Sequence, residues 1–379
     1  MVGTVAVWKR SWLPASETFV RNQQDALSEW TPVSLGLVGE PSPLARETDV
    51  LLLRRARFRR LWLRLASLIG WSWHLERYLR ANRPDVLHAH FVPEAVVASR
   101  ACARAGVPLV VTVHGHDVTA APRTPGLRGI RYRRRARRML RRAARVVAVS
   151  EFTARKAVEL GAAPDSVVVQ PIGIPLPDDR PPSRPEPEWD VVFVGRLVEV
   201  KGVQDLVAAV GTLAAQGRPV RVAVVGDGPL RGELERQAAE SAAEIEFLGR
   251  LSPADVRSVL RRSRIFCAPS RTAPDGAAEG FGMVYLEAAA EGLPVVAYAH
   301  GGVPEAVADG RTGLLAAEGD RAGLTAHIGA LLEDEGRARE LGEAGRARIE
   351  REFDVRTRTR GLEQIYAAVC AQPRDHGRK

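Results

Sequence analysis

Two cations in the second half of the chain follow an apolar run and precede a helical pattern. Arg196 and Lys201 come after Val191–Val194, with Gly195 at the end of the run, and the helical pattern begins at Val203. A helix N-terminus offers free backbone N–H groups and the positive end of a dipole, so nearby cations strengthen an existing anion site. Lysine is also scarce, with four among 55 basic residues. Arg196 and Lys201 therefore predict binding of two linked phosphates, with solvated surface charge as the alternative.

Two glutamates lie eight positions apart in a glycine-containing segment further along the chain. Glu279 precedes Gly280 and Gly282, and Glu287 falls within a helix predicted to run from about Gly282 to Glu291. The glycines permit a turn that exposes backbone N–H groups. Eight helical positions amount to about 80° around the axis, so both carboxylates can face one ligand. They suit sugar hydroxyls; alternatively, Glu279 complements the helix dipole and Glu287 is solvated.

A histidine in the first half also stands where an apolar run ends. His114 follows Leu109–Val113 and is followed by Gly115, His116 and Asp117. A glycine at this point allows close backbone approach, and a histidine beside a carboxylate can bind or transfer a proton. A purely structural histidine is the competing interpretation.

Short apolar runs alternate with helical patterns, and these elements must position the polar groups. Runs without polar alternation are typical of parallel strands buried on both faces and joined by crossover helices. In the first half the runs are Thr4–Trp8, Val33–Val38, Val86–His90, Leu109–His114, Val146–Ser150 and Val167–Val169. In the second half they are Val191–Gly195, Val220–Gly226, Ile245–Gly249, Ile265–Ser270, Val295–Ala297 and Thr312–Leu315.

The pattern predicts two doubly wound α/β domains with a cleft between them. Ile174–Glu188 separates the halves and carries six prolines, so it cannot form a helix or a central strand. The predicted divisions are an N-terminal domain over 1–175, a linker over 176–189, a C-terminal domain over 190–355 and a final segment over 356–379. Ligands of open parallel sheets bind beyond the carboxyl ends of the strands, where the polar groups above are found.

Composition excludes several classes of protein. The 379 residues have a mass of 41.2 kDa, with 45% apolar and 26% charged residues, as in folded two-domain proteins. No run reaches the ~18 apolar residues of a membrane-spanning helix. The N-terminus, Met1–Lys9, has the pattern of a strand and not of a secretion signal. Three widely spaced cysteines exclude a disulfide framework and favour the cytoplasm.

Together these motifs resemble the retaining glycosyltransferases of family 4, of the kind that builds exopolysaccharides and other cell-surface glycans. The resemblance spans nearly the whole chain. It rests on His88-Ala89-His90-Phe91, His114-Gly115-His116-Asp117, Gly195-Arg196-Leu197 with Lys201-Gly202, the pair Glu279 and Glu287, Gly301-Gly302-Val303-Pro304-Glu305 and Asp309-Gly310-Arg311-Thr312-Gly313-Leu314-Leu315. It implies the GT-B type of fold, in which two Rossmann-like domains face each other across a cleft. A C-terminal helix, here including Leu362–Cys370, usually crosses back to the first domain.

The resemblance also implies roles for individual residues. Arg196 and Lys201 would bind the diphosphate of a nucleotide-sugar donor, together with the backbone at Gly282, Met283 and Val284. Glu287 would hold the ribose, and Arg250 and Leu251 would border the base. Glu279 and Phe281 would contact the transferred hexosyl group, and His114 would contact it from the first domain. Glu279 and His114 are thus the expected catalytic residues.

The first loop departs from the family pattern. Many members have a glycine-rich loop after the first strand, whereas this chain has Leu13–Phe19. Ser16 and Thr18 can cap a helix there, and Ser16 and Glu17 are the predicted acceptor-side residues.

The reaction implied is transfer of a sugar to an acceptor hydroxyl with retention of anomeric configuration. Cations and a helix N-terminus would stabilise the departing diphosphate, and the hydroxyl would attack from the same face. No Asp-x-Asp motif occurs in the sequence. We therefore expect no essential divalent metal and no cofactor besides the donor substrate. The acceptor is expected to be a glycan or a lipid-linked precursor.

Basic charge is concentrated in the first half. Residues 1–180 hold 29 Lys and Arg against 15 Asp and Glu, whereas the remainder holds 26 against 30. Much of the excess lies in Leu51–Leu75, predicted as one amphipathic helix with Arg54, Arg55, Arg57, Arg59, Arg60 and Arg64, and in Arg128–Arg145. Such helices favour peripheral binding to the anionic inner face of a membrane. Alternatively, the apolar stripe packs on the sheet and the arginines are solvated.

Two other functions fit part of the sequence. An arginine-rich module that binds nucleic acid would account for the first half, but it leaves Arg196, Lys201, Glu279 and Glu287 without a purpose. A nucleotide-sugar epimerase of the same architecture would use the donor site without an acceptor. The glycosyltransferase hypothesis, without nucleic acid as a partner, accounts for both halves.

Overall fold

The chain folds into two α/β units in a computed structural model that describes residues 2–53, 58–176 and 185–372. The N-terminal unit comprises Met1–Pro175 and Val355–Lys379, and the C-terminal unit comprises Leu176–Asp354. Arg54, Arg55, Arg57, most of the predicted linker and the last part of the predicted C-terminal segment lie outside the described residues.

The N-terminal unit is built on a seven-stranded parallel sheet with the order β3-β2-β1-β4-β5-β6-β7. Its strands are β1 (Gly3–Trp12), β2 (Trp30–Gly39), β3 (Val50–Leu51), β4 (Val86–His90), β5 (Leu109–Val113), β6 (Arg145–Ala148) and β7 (Val167–Val169). Its first six helices are α1 (Thr18–Asp25), α2 (Arg59–Ile69), α3 (Trp73–Asn82), α4 (Val92–Ala105), α5 (Gly126–Leu140) and α6 (Glu151–Leu160).

The C-terminal unit has a six-stranded parallel sheet with the order β10-β9-β8-β11-β12-β13. Its strands are β8 (Trp189–Val194), β9 (Arg221–Val225), β10 (Glu244–Gly249), β11 (Ser263–Ala268), β12 (Val295–Ala299) and β13 (Gly313–Ala317). Its helices are α7 (Val203–Ala215), α8 (Arg231–Ala239), α9 (Pro253–Arg261), α10 (Met283–Ala290), α11 (Val303–Ala306), α12 (Arg321–Glu333) and α13 (Glu335–Glu352).

Burial on both faces explains why the apolar runs form strands. Every residue of β4 and β5 is buried, and four of the five residues of β9 are buried. The prediction of a doubly wound α/β fold is thereby confirmed, and each predicted run corresponds to an observed strand. Only β3 was not anticipated, because two residues are too few to show a periodic pattern.

The strand order places a switch point in each sheet. In the C-terminal unit the chain starts at β8, builds outward through β9 and β10, and then returns to the other side of β8 at β11. The loops after β8 and β11 therefore diverge and leave a crevice at the carboxyl edge, where ligands of such sheets bind. In the N-terminal unit, the chain starts at β1, builds outward through β2 and β3, and returns to the other side of β1 at β4.

A long final helix, α14 (Val355–Ala371), belongs to the N-terminal unit. The carboxylate of Glu363 accepts hydrogen bonds from the backbone N–H groups of Ser28 and Glu29 at 2.8 and 2.7 Å. The Tyr366 hydroxyl lies 2.7 Å from Nδ1 of the buried His88. A part-buried contact at Glu363 and a buried contact at Tyr366 thus help to fix where α14 packs.

The single basic helix predicted over Leu51–Leu75 is wrong. In its place the structure has β3, α2 and α3, and α2 ends at Gly70, whose φ of 73° is left-handed. Ser72 then caps α3 by accepting the N–H of Leu75. Glycine adopts this conformation without steric cost, so it ends a helix that the apolar spacing alone would continue.

Within the three described ranges, no helix has both the length and the apolarity needed to cross a membrane.

Candidate functional site

An ion pair between Lys201 and Glu279 occupies the switch point of the C-terminal unit. Lys201 ends a short 3₁₀ turn after β8, and its Nζ donates to Oε2 of Glu279 at 2.5 Å. Next to it, Gly202 has a φ of 63°, and a Cβ there would lie 2.0 Å from the carbonyl oxygen of Pro269. Only glycine therefore lets the loops after β8 and β11 approach closely enough for the pair to form.

The loop after β12 holds the backbone of Glu279. Gly302 donates its N–H to the Glu279 carbonyl at 3.0 Å, and the Glu279 N–H donates to Nε2 of His300 at 3.3 Å. A Cβ at Gly301 would lie 2.3 Å from the Glu279 carbonyl oxygen. The loop that bears Glu279 is thus tied to the loop after β12 on both sides of the residue.

The two glutamates have opposite electrostatics. Burial would raise the pKa of Glu279, but the Lys201 ammonium and the hydrogen bond from it outweigh burial and lower that pKa. Burial raises the pKa of Glu287, and Lys201 opposes this only partly. Among the described residues, no group hydrogen bonds the Glu287 carboxylate. Glu279 is therefore a fixed, charged acceptor, and Glu287 is a carboxyl group available to a ligand.

The N-terminus of α10 lies beside this pair. Gly282 occupies the cap position with a φ of 88°, and no side chain caps the helix. The N–H groups of Met283 and Val284 in the first turn point out of the helix end and can meet an anion. Phe281 is buried, and its ring packs against Phe353 at 5.7 Å between ring centroids.

The remaining predicted donor residues lie at the same carboxyl edge but are more open. Arg196 is exposed, and its guanidinium makes no hydrogen bond or ion pair within the described part of the chain. Arg250 follows β10 and lies 3.6 Å from the Asp227 carboxylate, while Leu251 beside it is half-buried. The structure therefore brings Lys201 and Glu279 into direct contact, leaves Arg196 without a partner among the described residues, and pairs the exposed Arg250 with Asp227.

A second Lys–Glu pair lies at the switch point of the N-terminal unit. Lys9 of β1 is 4% exposed, forms an ion pair with Glu17 and lies 4.4 Å above the Phe91 ring. Burial raises the pKa of Glu17, Lys9 lowers it less, and Glu94 adds to the increase. Ser16 is exposed. The expected cap by Ser16 or Thr18 is wrong: Glu17 occupies the cap position of α1 and no side chain bonds the helix end, because the Glu17 carboxylate faces Lys9.

His114 is held rigidly after β5. Its Nε2 lies 3.2 Å from Nδ1 of His90, and the buried Asp117 carboxylate accepts the N–H groups of His114 and Gly115 at 3.0 Å each. Burial and the nearby Lys9 keep the pKa of His114 well below its usual value, so the ring is neutral. Its contact with a transferred sugar stays a prediction.

Sequence reasoning missed three residues of these clusters, namely Lys9, Ser270 and His300. Ser270 lies 3.4 Å from the Glu279 carboxylate and 3.1 Å from the Tyr285 hydroxyl. The scarcity that marked Lys201 applies equally to Lys9, and His300 follows a strand as His114 does. No three His, Cys, Asp or Glu side chains among the described residues are grouped as metal ligands would be.

Two family models divide the chain between them. Residues 17–177 match the model described as Glycosyltransferase Family 4, and residues 177–348 match the model described as Glycosyl transferases group 1. The two matched segments meet at the boundary between the two units.

Individual proteins show the same relationship. A glycogen synthase of Mycobacterium tuberculosis is 32% identical over 305 residues, which are 76% of this chain and 70% of that protein. The amylovoran biosynthesis glycosyltransferase AmsK of Erwinia amylovora is 33% identical over 177 residues, 46% of this chain and 44% of AmsK. The crystal structure of Anabaena Alr3699/HepE with UDP and glucose has a TM-score of 0.75 at 21% identity, covering 97% of this chain and 100% of that chain, and so shows a shared fold.

Proposed function

The chain belongs to glycosyltransferase family 4, and we propose that it transfers a hexosyl group from a nucleoside diphosphate sugar to an acceptor hydroxyl with retention of configuration. The Lys201–Glu279 pair at the switch point carries this proposal. A cation with a fixed carboxylate beside it matches a ligand that has phosphate oxygens next to sugar hydroxyls. The solved complex of HepE with UDP and glucose supports a donor of this class.

Each part of the donor meets a suitable group in this proposal. Lys201, Arg196 and the N–H groups of Met283 and Val284 bind the diphosphate, because they combine full and partial positive charges at one sheet edge. Glu279 accepts hydrogen bonds from the sugar hydroxyls. Glu287 accepts from the ribose, and Arg250 with Leu251 borders the base.

The chemistry depends on stabilising the leaving group. As the sugar–phosphate bond breaks, negative charge grows on the diphosphate, and preorganised cations and N–H groups favour that state over the ground state. The acceptor hydroxyl attacks from the face that the phosphate leaves, and the phosphate oxygen takes its proton. We propose that no divalent metal is needed, so EDTA is expected to leave the rate unchanged.

A donor screen with matched variants tests the proposal. UDP-, GDP- and ADP-sugars are assayed for hydrolysis, transfer and thermal stabilisation, with Glu279→Gln, Arg196→Ala and Lys201→Ala compared against wild type. Lys156→Ala is the control, since Lys156 forms an exposed pair with Glu159. Wild-type stabilisation by one nucleotide and losses confined to the site variants are expected. Transfer within a few-fold of wild type in all three site variants would show that the residues are wrongly assigned. Formation of a product from the donor without any acceptor would indicate an epimerase.

The acceptor is proposed to be a growing polysaccharide or a lipid-linked precursor of one. AmsK acts in amylovoran biosynthesis, and the glycogen synthase is named for a polysaccharide. Both names support a glycan as the acceptor.

We also propose peripheral binding to an anionic membrane through α2 and α5. Large apolar side chains on and beside α2 are exposed: Phe58, Leu61, Trp62, Leu68, Ile69 and Trp73. Arg135 of α5 donates to the carbonyls of Ser67 and Leu68 at 3.0 and 2.5 Å, which joins the two helices. Further arginines line a groove along α5, namely Arg128, Arg131, Arg134 and Arg138. Exposed aromatic residues beside clustered cations match a bilayer surface with anionic headgroups.

Flotation with liposomes tests this surface. Binding is expected to vesicles with about 30% phosphatidylglycerol and to weaken in pure phosphatidylcholine, because each basic residue near the surface contributes about 1 kcal/mol. Leu61→Ser with Trp62→Ser should abolish flotation, whereas Val158→Ser, at an exposed apolar position on α6, should not. Binding to an oligonucleotide with no flotation at low salt would favour the nucleic-acid hypothesis.

A further inference from the structure

Three loops at the carboxyl edges of adjacent strands converge on one imidazole. His300 follows β12, Glu318 follows β13, and Thr272 lies in the loop after β11. His300 Nδ1 lies 3.1 Å from Oε2 of Glu318, and the Thr272 N–H donates to Oε1 of Glu318 at 2.6 Å. The ring is 5% exposed, so its contacts are made inside the protein.

The hydrogen-bond directions fix the tautomer of His300. Nε2 accepts the backbone N–H of Glu279, and a nitrogen that accepts cannot itself carry a proton. The proton of the neutral ring must then reside on Nδ1, where it donates to Glu318. Burial would raise the pKa of Glu318, but the Thr272 N–H and His300 outweigh it and lower that pKa, so Glu318 is a carboxylate able to accept.

We propose that His300 and Glu318 are positioning residues that hold the Glu279 loop in its donor-binding conformation through the Nδ1–H tautomer. This inference rests on the proposed function of Glu279 and adds to it. The Glu279 side chain is anchored by Lys201 and its carbonyl by Gly302, while His300 is the only described group that accepts its N–H. Loss of that acceptor would let the segment between Glu279 and α10 shift away from the sugar.

Two substitutions at His300 test the contacts of its two ring nitrogens one at a time. In His300→Gln the amide oxygen can reach the Glu279 N–H, whereas in His300→Asn the shorter amide reaches Glu318 but not Glu279. We expect His300→Asn to lower kcat/KM for the donor about tenfold, mainly through KM, because one buried hydrogen bond is lost. His300→Gln should stay within about threefold of wild type, and Glu318→Gln should fall between the two His300 variants.

Amide hydrogen exchange detects the hydrogen bond from the Glu279 N–H to His300 in the absence of substrate. The Glu279 amide should be protected in wild type and His300→Gln and exchange faster in His300→Asn, with melting temperatures alike in all three. Equal protection and equal kcat/KM in His300→Asn and wild type would overturn the inference, as would an equal loss in both substitutions. Protection that follows the expected order in a protein that transfers no sugar would instead refute the proposed function and leave the positioning contact standing.

Discussion

The two units place the same pair of residue types at the same point of the same strand order, but in different surroundings. Lys201 and Glu279 lie at the β8–β11 switch point, and Lys9 and Glu17 lie beside the β1–β4 switch point. Glu279 gains further support from Ser270 and His300, and its pKa falls. Burial raises the pKa of Glu17, Lys9 opposes this only partly, and the nearby Glu94 adds to the rise. Burial and the neighbours of an ion pair therefore decide whether the pKa of its carboxylate rises or falls.

The contrast matches different chemistry in the two units. A carboxylate that stays charged beside a cation suits a donor that carries both phosphate and hydroxyl groups. A carboxyl group whose proton is held more tightly suits a neutral hydroxyl partner, as Glu17 would meet on the proposed acceptor side. Glu94 cannot replace the missing donors, because its carboxylate accepts hydrogen bonds and already accepts from Arg10 at 2.8 Å.

The largest expected effect comes from removing each lysine in turn. Lys201→Ala should lower kcat/KM for the donor by about 100-fold, because a cation that stabilises the leaving diphosphate is lost. Lys9→Ala should leave KM for the donor within about threefold of wild type, since Lys9 belongs to the other unit. Steady-state kinetics with varied donor measure both. Equal losses of kcat/KM for the donor in Lys201→Ala and Lys9→Ala would show that the two Lys–Glu pairs have the same role in donor use.

A smaller effect is expected from the glycine that brings the C-terminal pair together. Gly202→Ala should destabilise the protein by about 2 kcal/mol or more, because φ is positive and a Cβ would meet Pro269. Gly217→Ala is the matched control, with a φ of 83° and no atom within 4 Å of the added Cβ. Thermal unfolding compares the two. If Gly217→Ala loses as much stability as Gly202→Ala, the close approach of the loops at Gly202 is not the cause of the loss.

The pH dependence of stability should have opposite signs for the two glutamates. Ionised Glu279 stabilises the fold above its unfolded-state pKa of about 4.3, and this contribution is lost as pH falls through the lower folded pKa. Glu17 has a raised folded pKa, so its contribution is present at low pH and is lost as pH rises through that value. Glu279→Gln should therefore cost more stability at pH 7 than at pH 4. Glu17→Gln should be more favourable, relative to wild type, at pH 7 than at pH 4. Calorimetry between pH 4 and pH 7 measures the effect of each substitution on the free energy of unfolding. Effects that change with pH in the same direction for both substitutions would contradict the contrast.

The smallest effect on stability is expected from a Lys–Glu pair that lies away from both switch points. Lys156 and Glu159 form an exposed pair on α6 at 2.8 Å. Lys156→Ala should change the free energy of unfolding by about 0.5 kcal/mol or less, because solvent screens such pairs. Chemical denaturation checks this value. A larger loss would mean that Lys–Glu pairing itself, and not its surroundings, has energetic weight in this protein.

The strands, the helices and the residues at the carboxyl edges of the sheets could be predicted from the sequence, because these features depend on local patterns of residue types. Uniform apolar runs predict buried parallel strands, and the residues after those runs must lie at the carboxyl edge of the sheet. That reasoning selected Arg196, Lys201, Glu279 and His114, which follow β8, β11 and β5 in the structure. It also predicted the helix at Glu287 to within one residue at each end, since glycines mark its limits.

Contacts between distant segments were decided by the tertiary structure alone. Lys201 and Glu279 are 78 positions apart, and Glu279 meets His300 only because β11 and β12 are adjacent. The basic segment followed a helical period, yet Gly70 divided it into α2 and α3. Apolar spacing reports which face of a segment is buried, but it carries no information about which polar groups long-range packing will bring together, and those groups set the charge of each carboxylate.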